Sequence, residues 1–87
     1  MKEIKVKEWK FRQEQDKASR YDIWFRISRR TDDIAERPLV EDGCVYLNAE
    51  VVGESAKAYK VVIFNGFFGN CDKDWTCWMP KSACEVM

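Results

Sequence analysis

The chain has no histidine, only four glycines and two prolines, and a formal net charge of zero over 87 residues. Each shortage narrows the functions open to it. Without histidine, the side chain that most often acts as general acid or base near neutral pH is missing, and so is the commonest metal-binding ligand. The four cysteines, Cys44, Cys71, Cys77 and Cys84, include no C-x-x-C pair, the tight spacing typical of structural zinc sites. Four thiolates around one ion is the metal reading left to them. The simpler reading is packing, because Cys44 and Cys77 fall within predicted strands, where a reduced cysteine behaves as a small apolar residue. No glycine-rich phosphate cradle occurs; Gly66 and Gly69 bracket Phe67 and Phe68 instead. The opening M-K-E-I-K-V-K-E is charged throughout, so no export signal is expected. No apolar run approaches the roughly 20 residues of a membrane helix. A soluble, cytoplasmic protein with reduced thiols follows as the expectation. In an oxidising compartment the four cysteines would allow three pairings that sequence does not choose among.

What the chain does have is aromatic weight: four Trp, five Phe and three Tyr, within 46% hydrophobic residues. Each ring buries a large area, so a short chain can build a core from few residues, and residues 1–87 read as one domain. Charge is unevenly spread. Residues 1–30 hold ten Lys/Arg against five Asp/Glu, and residues 31–87 hold five against ten. Either one face of the fold is basic, or pairing of distant segments mixes the two signs.

In chain order, Ile4 and Val6 alternate with charge, then Trp9 and Phe11 do so one register later. The pattern predicts a strand over 2–12 with a bulge near Lys7–Glu8, or two short strands in series there. The polar Gln13–Ser19 predicts a loop or a single helical turn. Arg20–Arg30 alternates Tyr21, Ile23, Phe25 and Ile27 against Asp22, Trp24, Arg26 and Ser28, and reads as the clearest strand. Thr31–Glu36 predicts a short helical turn that Pro38 ends, and Asp42–Gly43 predicts a tight turn. Cys44–Val52 predicts a strand with Val45, Leu47, Ala49 and Val51 inward, returning as Ala58–Phe64 in a hairpin. After a loop over Asn65–Asp74, Trp75–Met79 predicts another strand, ended by Pro80. A turn over Lys81–Ala83 and a last strand from Cys84 complete the chain. Five or six short strands with almost no helix must curl to hide a core. The expected fold is mostly β, a small partly open antiparallel barrel or roll of the SH3-like or OB-like kind.

Glu54, Ser55, Lys57 and Ala58, followed after a loop by Trp78, Pro80, Lys81 and Ser82, resemble a pattern of small phage and prophage proteins: E-[ST]-x-K-A, then W-x-P-K-S. The resemblance covers roughly 44–86; in this chain the intervening loop is long and the first forty residues lie outside the pattern. It implies a small β-barrel of mobile-element origin, and it supplies no catalytic residues. A structural reading of the motif packs Ala58 against its neighbouring strand, places Trp78 over the open end of the barrel, and stops the strand at Pro80. The alternative gives Lys57 and Lys81 a binding role.

Enzymatic activity is not expected. The carboxylate pairs Asp32–Asp33, Glu41–Asp42 and Asp72/Asp74 lie in predicted loops, and no cysteine sits in an activating motif. No cofactor or metal is expected either. Two binding readings fit better. In the first, Phe67, Phe68 and Trp75 anchor a host protein or nucleoprotein complex. The phage-type resemblance then implies an inhibitor or accessory factor directed against host defence, for example one that blocks a CRISPR effector, with acidic segments near 31–42 and 70–74 imitating phosphates. In the second, Arg20, Trp24, Arg26, Arg29 and Arg30 form one strand face that binds nucleic acid by stacking and charge. A homodimer through an unpaired strand edge is a further expectation.

Overall fold

Ile4 and Val6 point inward from β1 (Glu3–Lys7), 1% and 0% exposed, and the alternation stops there. The computed structural model describes residues 2–29, 38–66 and 73–87. In it the chain passes directly from Lys7 into α1 (Glu8–Ser19). The bulged strand to Arg12 and the loop over Gln13–Ser19 are therefore corrected to a 12-residue helix. The physical reason lies in side-chain placement. Glu14 and Ala18 are buried and Phe11 and Gln15 half-buried, an i, i+3, i+4, i+7 stripe of which two members are polar. Trp9, which carried the apparent alternation, is 57% exposed. Local charge supports the helix: Glu8–Arg12, Lys10–Glu14 and Asp16–Arg20 pair at i, i+4. The Glu8 N–H, left over at the helix start, donates to Gly43 O at 2.8 Å. At the other end Asp22 takes a left-handed φ of 61°, and the Tyr21 and Ile23 N–H groups donate back to Ala18 O.

Residues 23–29 form no ladder strand, which corrects the expectation for Arg20–Arg30 over its described part. Among the described residues the segment makes two isolated bridges, Phe25 with Asn65 and Ile27 with Leu47. The segment wedges between two others, with Arg26 N–H donating to Phe64 O (2.8 Å) and Asn48 N–H to Arg26 O (3.0 Å). The alternation signalled burial for Ile23 and Phe25, 5% and 2% exposed against 41% for Trp24, but not for Tyr21, which is 66% exposed. It did not reveal that two short contacts would replace a ladder. The helical turn expected over Thr31–Glu36 lies outside the described residues.

Asp42 and Gly43 (φ 53° and 72°) form the expected turn, with Glu41 and Cys44 exchanging two 2.9 Å backbone bonds around it. β2 (Cys44–Glu54) then runs antiparallel to β1 along its first half and to β3 (Ala58–Ile63) along its second. The register shifts between Val51 and Gly53, where a Cβ on Gly53 would lie 3.3 Å from Lys60 Cβ. Asn65 ties together the ends of the next connection: its N–H donates to Asp74 Oδ1 (3.0 Å) and its Nδ2 to Lys73 O (3.1 Å). β4 (Trp75–Pro80) and β5 (Cys84–Val86) complete a five-stranded antiparallel sheet of order β4-β3-β2-β1-β5.

The order requires curvature. Adjacent strands lie about 4.8 Å apart, so the edges of a flat five-stranded sheet would be about 19 Å apart. Pro80 and Cys84 are separated by four residue steps, which reach about 14 Å at most. The sheet curls so that the turn Lys81–Ala83, closed by Ala83 N–H to Pro80 O at 2.9 Å, joins one edge to the other. It stays open, since β4 and β5 are not hydrogen-bonded neighbours. Inside the curl pack Val45, Leu47, Ala49, Val61, Ile63 and Met79, all 0% exposed, with Ala18, Ile23 and Phe25 closing over them.

Candidate functional site

The arginines expected beside Trp24 do not form one face. Arg20 sits after the helix C-terminus, with Nη2 3.3 Å from Asp16 Oδ2. Arg29 lies over the outer face of the sheet, its guanidinium 3.9 Å from the Tyr46 ring centre and bonded through Nε and Nη2 to the Glu3 carboxylate. Ser28 Oγ donates to the same carboxylate. Arg26 is half-buried, and Arg30 lies outside the described residues. The basic first thirty residues meet the acidic remainder through Lys2–Glu50, while Arg29 is paired by Glu3 within its own part of the chain.

Trp24 is positioned differently. Gln15, on the inner stripe of α1, donates from Nε2 to Ile23 O and accepts the Phe25 N–H at Oε1, both at 3.0 Å. These two bonds hold residues 23–25 against the helix. Trp24 Nε1–H donates to Asp22 Oδ1 at 3.2 Å, which fixes the ring's outer edge. The ring walls a groove of about 520 Å³. The buried Phe25 and Val45, with Phe11 packed against them, form its floor, and Pro38, Val40, Glu8 and Arg12 also line it. Phe11 and Phe25 meet with ring centres 6.2 Å apart. The groove therefore opens directly onto the core, with a preset aromatic wall.

Trp75, an expected protein anchor, is half-buried at the start of β4. Its ring lies 5.8 Å from that of Tyr21, and Nε1–H donates to Glu14 Oε1 at 3.3 Å. Glu14, 4% exposed, takes Lys10 and Lys17 on its other oxygen at 3.2 and 3.3 Å. Burial pushes this carboxyl up. The Trp75 bond and the Lys10 and Lys17 ammonium groups outweigh burial and hold it below the usual glutamate value. Burial and the Glu14 carboxylate push the Cys77 thiol up to about 12, and burial pushes Cys84 up to about 11. Neither thiol is an activated nucleophile. Phe67 and Phe68 lie outside the described residues.

The second-half motif is divided by the structure. Ala58 pairs with Pro80 across β3 and β4, and Lys81 N–H donates to Lys57 O at 2.8 Å. Lys81 Nζ bonds the Glu54 carboxylate and lies 5.0 Å from the Tyr59 ring centre. Trp78 does not cover the open end of the sheet. It projects outward opposite Lys60, 51% exposed, because the odd-numbered residues of β4 take the inner face. Ser82 is exposed. Lys5, Lys7 and Lys81 line a shallow depression of about 490 Å³ that also contains Glu85.

Among the described residues no three His, Cys, Asp or Glu side chains converge on a metal position, and no helix is long and apolar enough to cross a membrane. The chain matches no protein-family model, no curated protein and no solved structure. Its own geometry is the guide to its function. Sequence reasoning missed Phe11 and Gln15 as groove residues; the i, i+4 charge spacing over 8–20 was the signal that would have put them on one helix face.

Proposed function

We propose that this protein is a non-enzymatic protein-binding module that seats an apolar side chain of its partner in the groove beside Trp24. The observation that carries this reading is the groove itself: a partly exposed tryptophan, held by Gln15 and Asp22, over a floor of core side chains. A pre-set aromatic wall costs little ordering on binding, and tryptophans in such pockets are the usual interface hot spots. Docking on a host protein as an inhibitor or accessory factor, including an anti-defence role, belongs to the same proposal and is supported by the phage-type motif. The alternative, nucleic-acid binding, has less support because Arg20 and Arg29 are engaged by Asp16 and Glu3.

The test is panning the protein against a displayed random-peptide library, then titrating an enriched peptide calorimetrically at low and high salt beside labelled oligonucleotides. The expected result is a peptide with an apolar anchor whose affinity falls at least about tenfold in Trp24→Ala and changes little with salt. Oligonucleotide binding with a steep salt slope, lost in Arg26→Ala or Arg29→Ala, would replace this reading with the nucleic-acid one. A library yielding no Trp24-dependent peptide would also overturn it.

A further inference from the structure

β4 is an edge of the sheet, and its backbone parity determines what it offers. Lys81 N–H donates to Lys57 O, and the ladder continues in that register through Tyr59–Met79, Val61–Cys77 and Ile63–Trp75. In an antiparallel pair, residues that exchange bonds alternate with residues whose N–H and C=O point away. Trp75, Cys77 and Met79 therefore bond to β3, whereas Thr76 and Trp78 aim their backbone groups off the sheet. Pro80 has no N–H, and its C=O takes Ala83 N–H at 2.9 Å, so the free stretch ends there. Thr76 is exposed and Trp78 is 51% exposed. Beside this stretch, at the start of β4, lies a cleft of about 550 Å³ lined by Tyr21, Ile23 and Trp75, with Lys73 and Asp74 at its mouth. Tyr21 is 66% exposed there.

We infer that β4 is a second interaction surface, which takes an extended segment of another protein as a sixth strand. The segment pairs with Thr76 and Trp78 and places one apolar side chain in the Tyr21/Trp75 cleft. Only an extended backbone supplies donors and acceptors at the strand repeat, and a neighbouring side-chain pocket is what gives such added strands their selectivity. A second copy of this chain fits poorly. The twofold registers that pair these edges set Thr76 against Thr76, Thr76 against Trp78, or Trp78 against Trp78. They bring Cys77, Met79 or Lys81 of the other copy opposite Trp75. Cys77 faces its own core, Met79 is 0% exposed, and Lys81 is held by Glu54. None leaves a free apolar side chain for the cleft.

Amide hydrogen exchange tests this. In dilute free protein, Thr76 and Trp78 amides exchange fast while those of Cys77 and Met79, which donate to β3, are slow. Peptides are then selected from a displayed library on Trp24→Ala protein, so that the Trp24 groove does not compete. The expected result is a peptide that slows exchange at Thr76 and Trp78 by more than about tenfold. It should weaken about tenfold with Tyr21→Ala, and be lost with Thr76→Pro, a change an edge position accepts. The inference is overturned by no enrichment, by peptides that protect other amides, or by Thr76 and Trp78 amides already slow in dilute protein. Protection that rises with protein concentration alone would make a second copy the occupant and overturn it equally.

Discussion

Replacing Glu14 by glutamine should unfold this protein far more readily than any surface change. The Glu14 side chain is 5% exposed, that of its partner Lys10 is 11% exposed, and Trp75 Nε1–H donates to the Glu14 carboxylate at 3.3 Å. Glutamine keeps an acceptor for the indole but leaves the nearly buried Lys10 ammonium without its counter-charge. Breaking a buried pair from one side costs about 3–5 kcal/mol. The low end applies here, about 3 kcal/mol, because Lys10 keeps a 2.9 Å bond to Gln13. An 87-residue domain has a total stability of roughly 4–13 kcal/mol, so the loss is a large share of it. Urea unfolding at pH 7, followed by far-ultraviolet circular dichroism, measures the difference. Adding Lys10→Met should recover most of it, because it removes the ammonium that Glu14→Gln leaves without a counter-charge. The pH dependence has a definite sign. The folded carboxyl sits below its ordinary value of about 4.3, so its contribution is present above that pH and is lost as pH falls through the folded value. The gap between wild type and Glu14→Gln should therefore close on acidification. A Glu14→Gln protein within about 1 kcal/mol of wild type at pH 7, or a gap that does not change with pH, would refute this account of how α1 is held to β4.

The same structure makes further claims. Cys77 and Cys84, with thiols pushed up to about 12 and 11, should resist iodoacetamide at pH 8 in the folded protein and react once urea unfolds it, as counted by mass spectrometry. Because their folded values lie above the unfolded value of about 8.5, the stability they contribute is complete below that pH and is lost as pH rises through the folded values. Gly43→Ala should cost about 1–2 kcal/mol, since the residue holds φ +72° with open space around it; Tm should fall about 4–8 °C for each kcal/mol. A thermal scan unchanged by Gly43→Ala would contradict the turn geometry. Trp24→Ala should weaken groove peptides about tenfold or more while leaving edge-strand peptides bound, and Tyr21→Ala should weaken edge-strand peptides about tenfold while leaving groove peptides bound, which calorimetry with the two peptide sets would separate.

Several features were legible because they depend on local chemistry. Asp42–Gly43 announced a turn with positive φ at both positions. Alternation over 44–52 placed Val45, Leu47 and Ala49 in the core, and Pro80 closed β4. Other features failed for a common reason. The inner face of α1 presents Glu14 and Gln15 to the fold, and a reading based on apolar periodicity takes polar residues to face water. Glu14 is buried because Lys10, Lys17 and Trp75 converge on it, and Trp75 lies 61 residues further along the chain.

Short-range pattern was enough for the strands that follow Asp42–Gly43, the hairpin 44–64, the turn chemistry and the mostly β class, since each depends on side-chain alternation or on glycine and proline within a few residues. Long-range packing settled the remaining features. It set the curl that lets three residues join opposite edges of the sheet. It scattered the arginines onto Asp16 and Glu3. It also turned Trp24 to a groove floored by the core and left Thr76 and Trp78 on a free edge. These outcomes depend on which distant segments pack together, and short-range pattern carries no information about that choice.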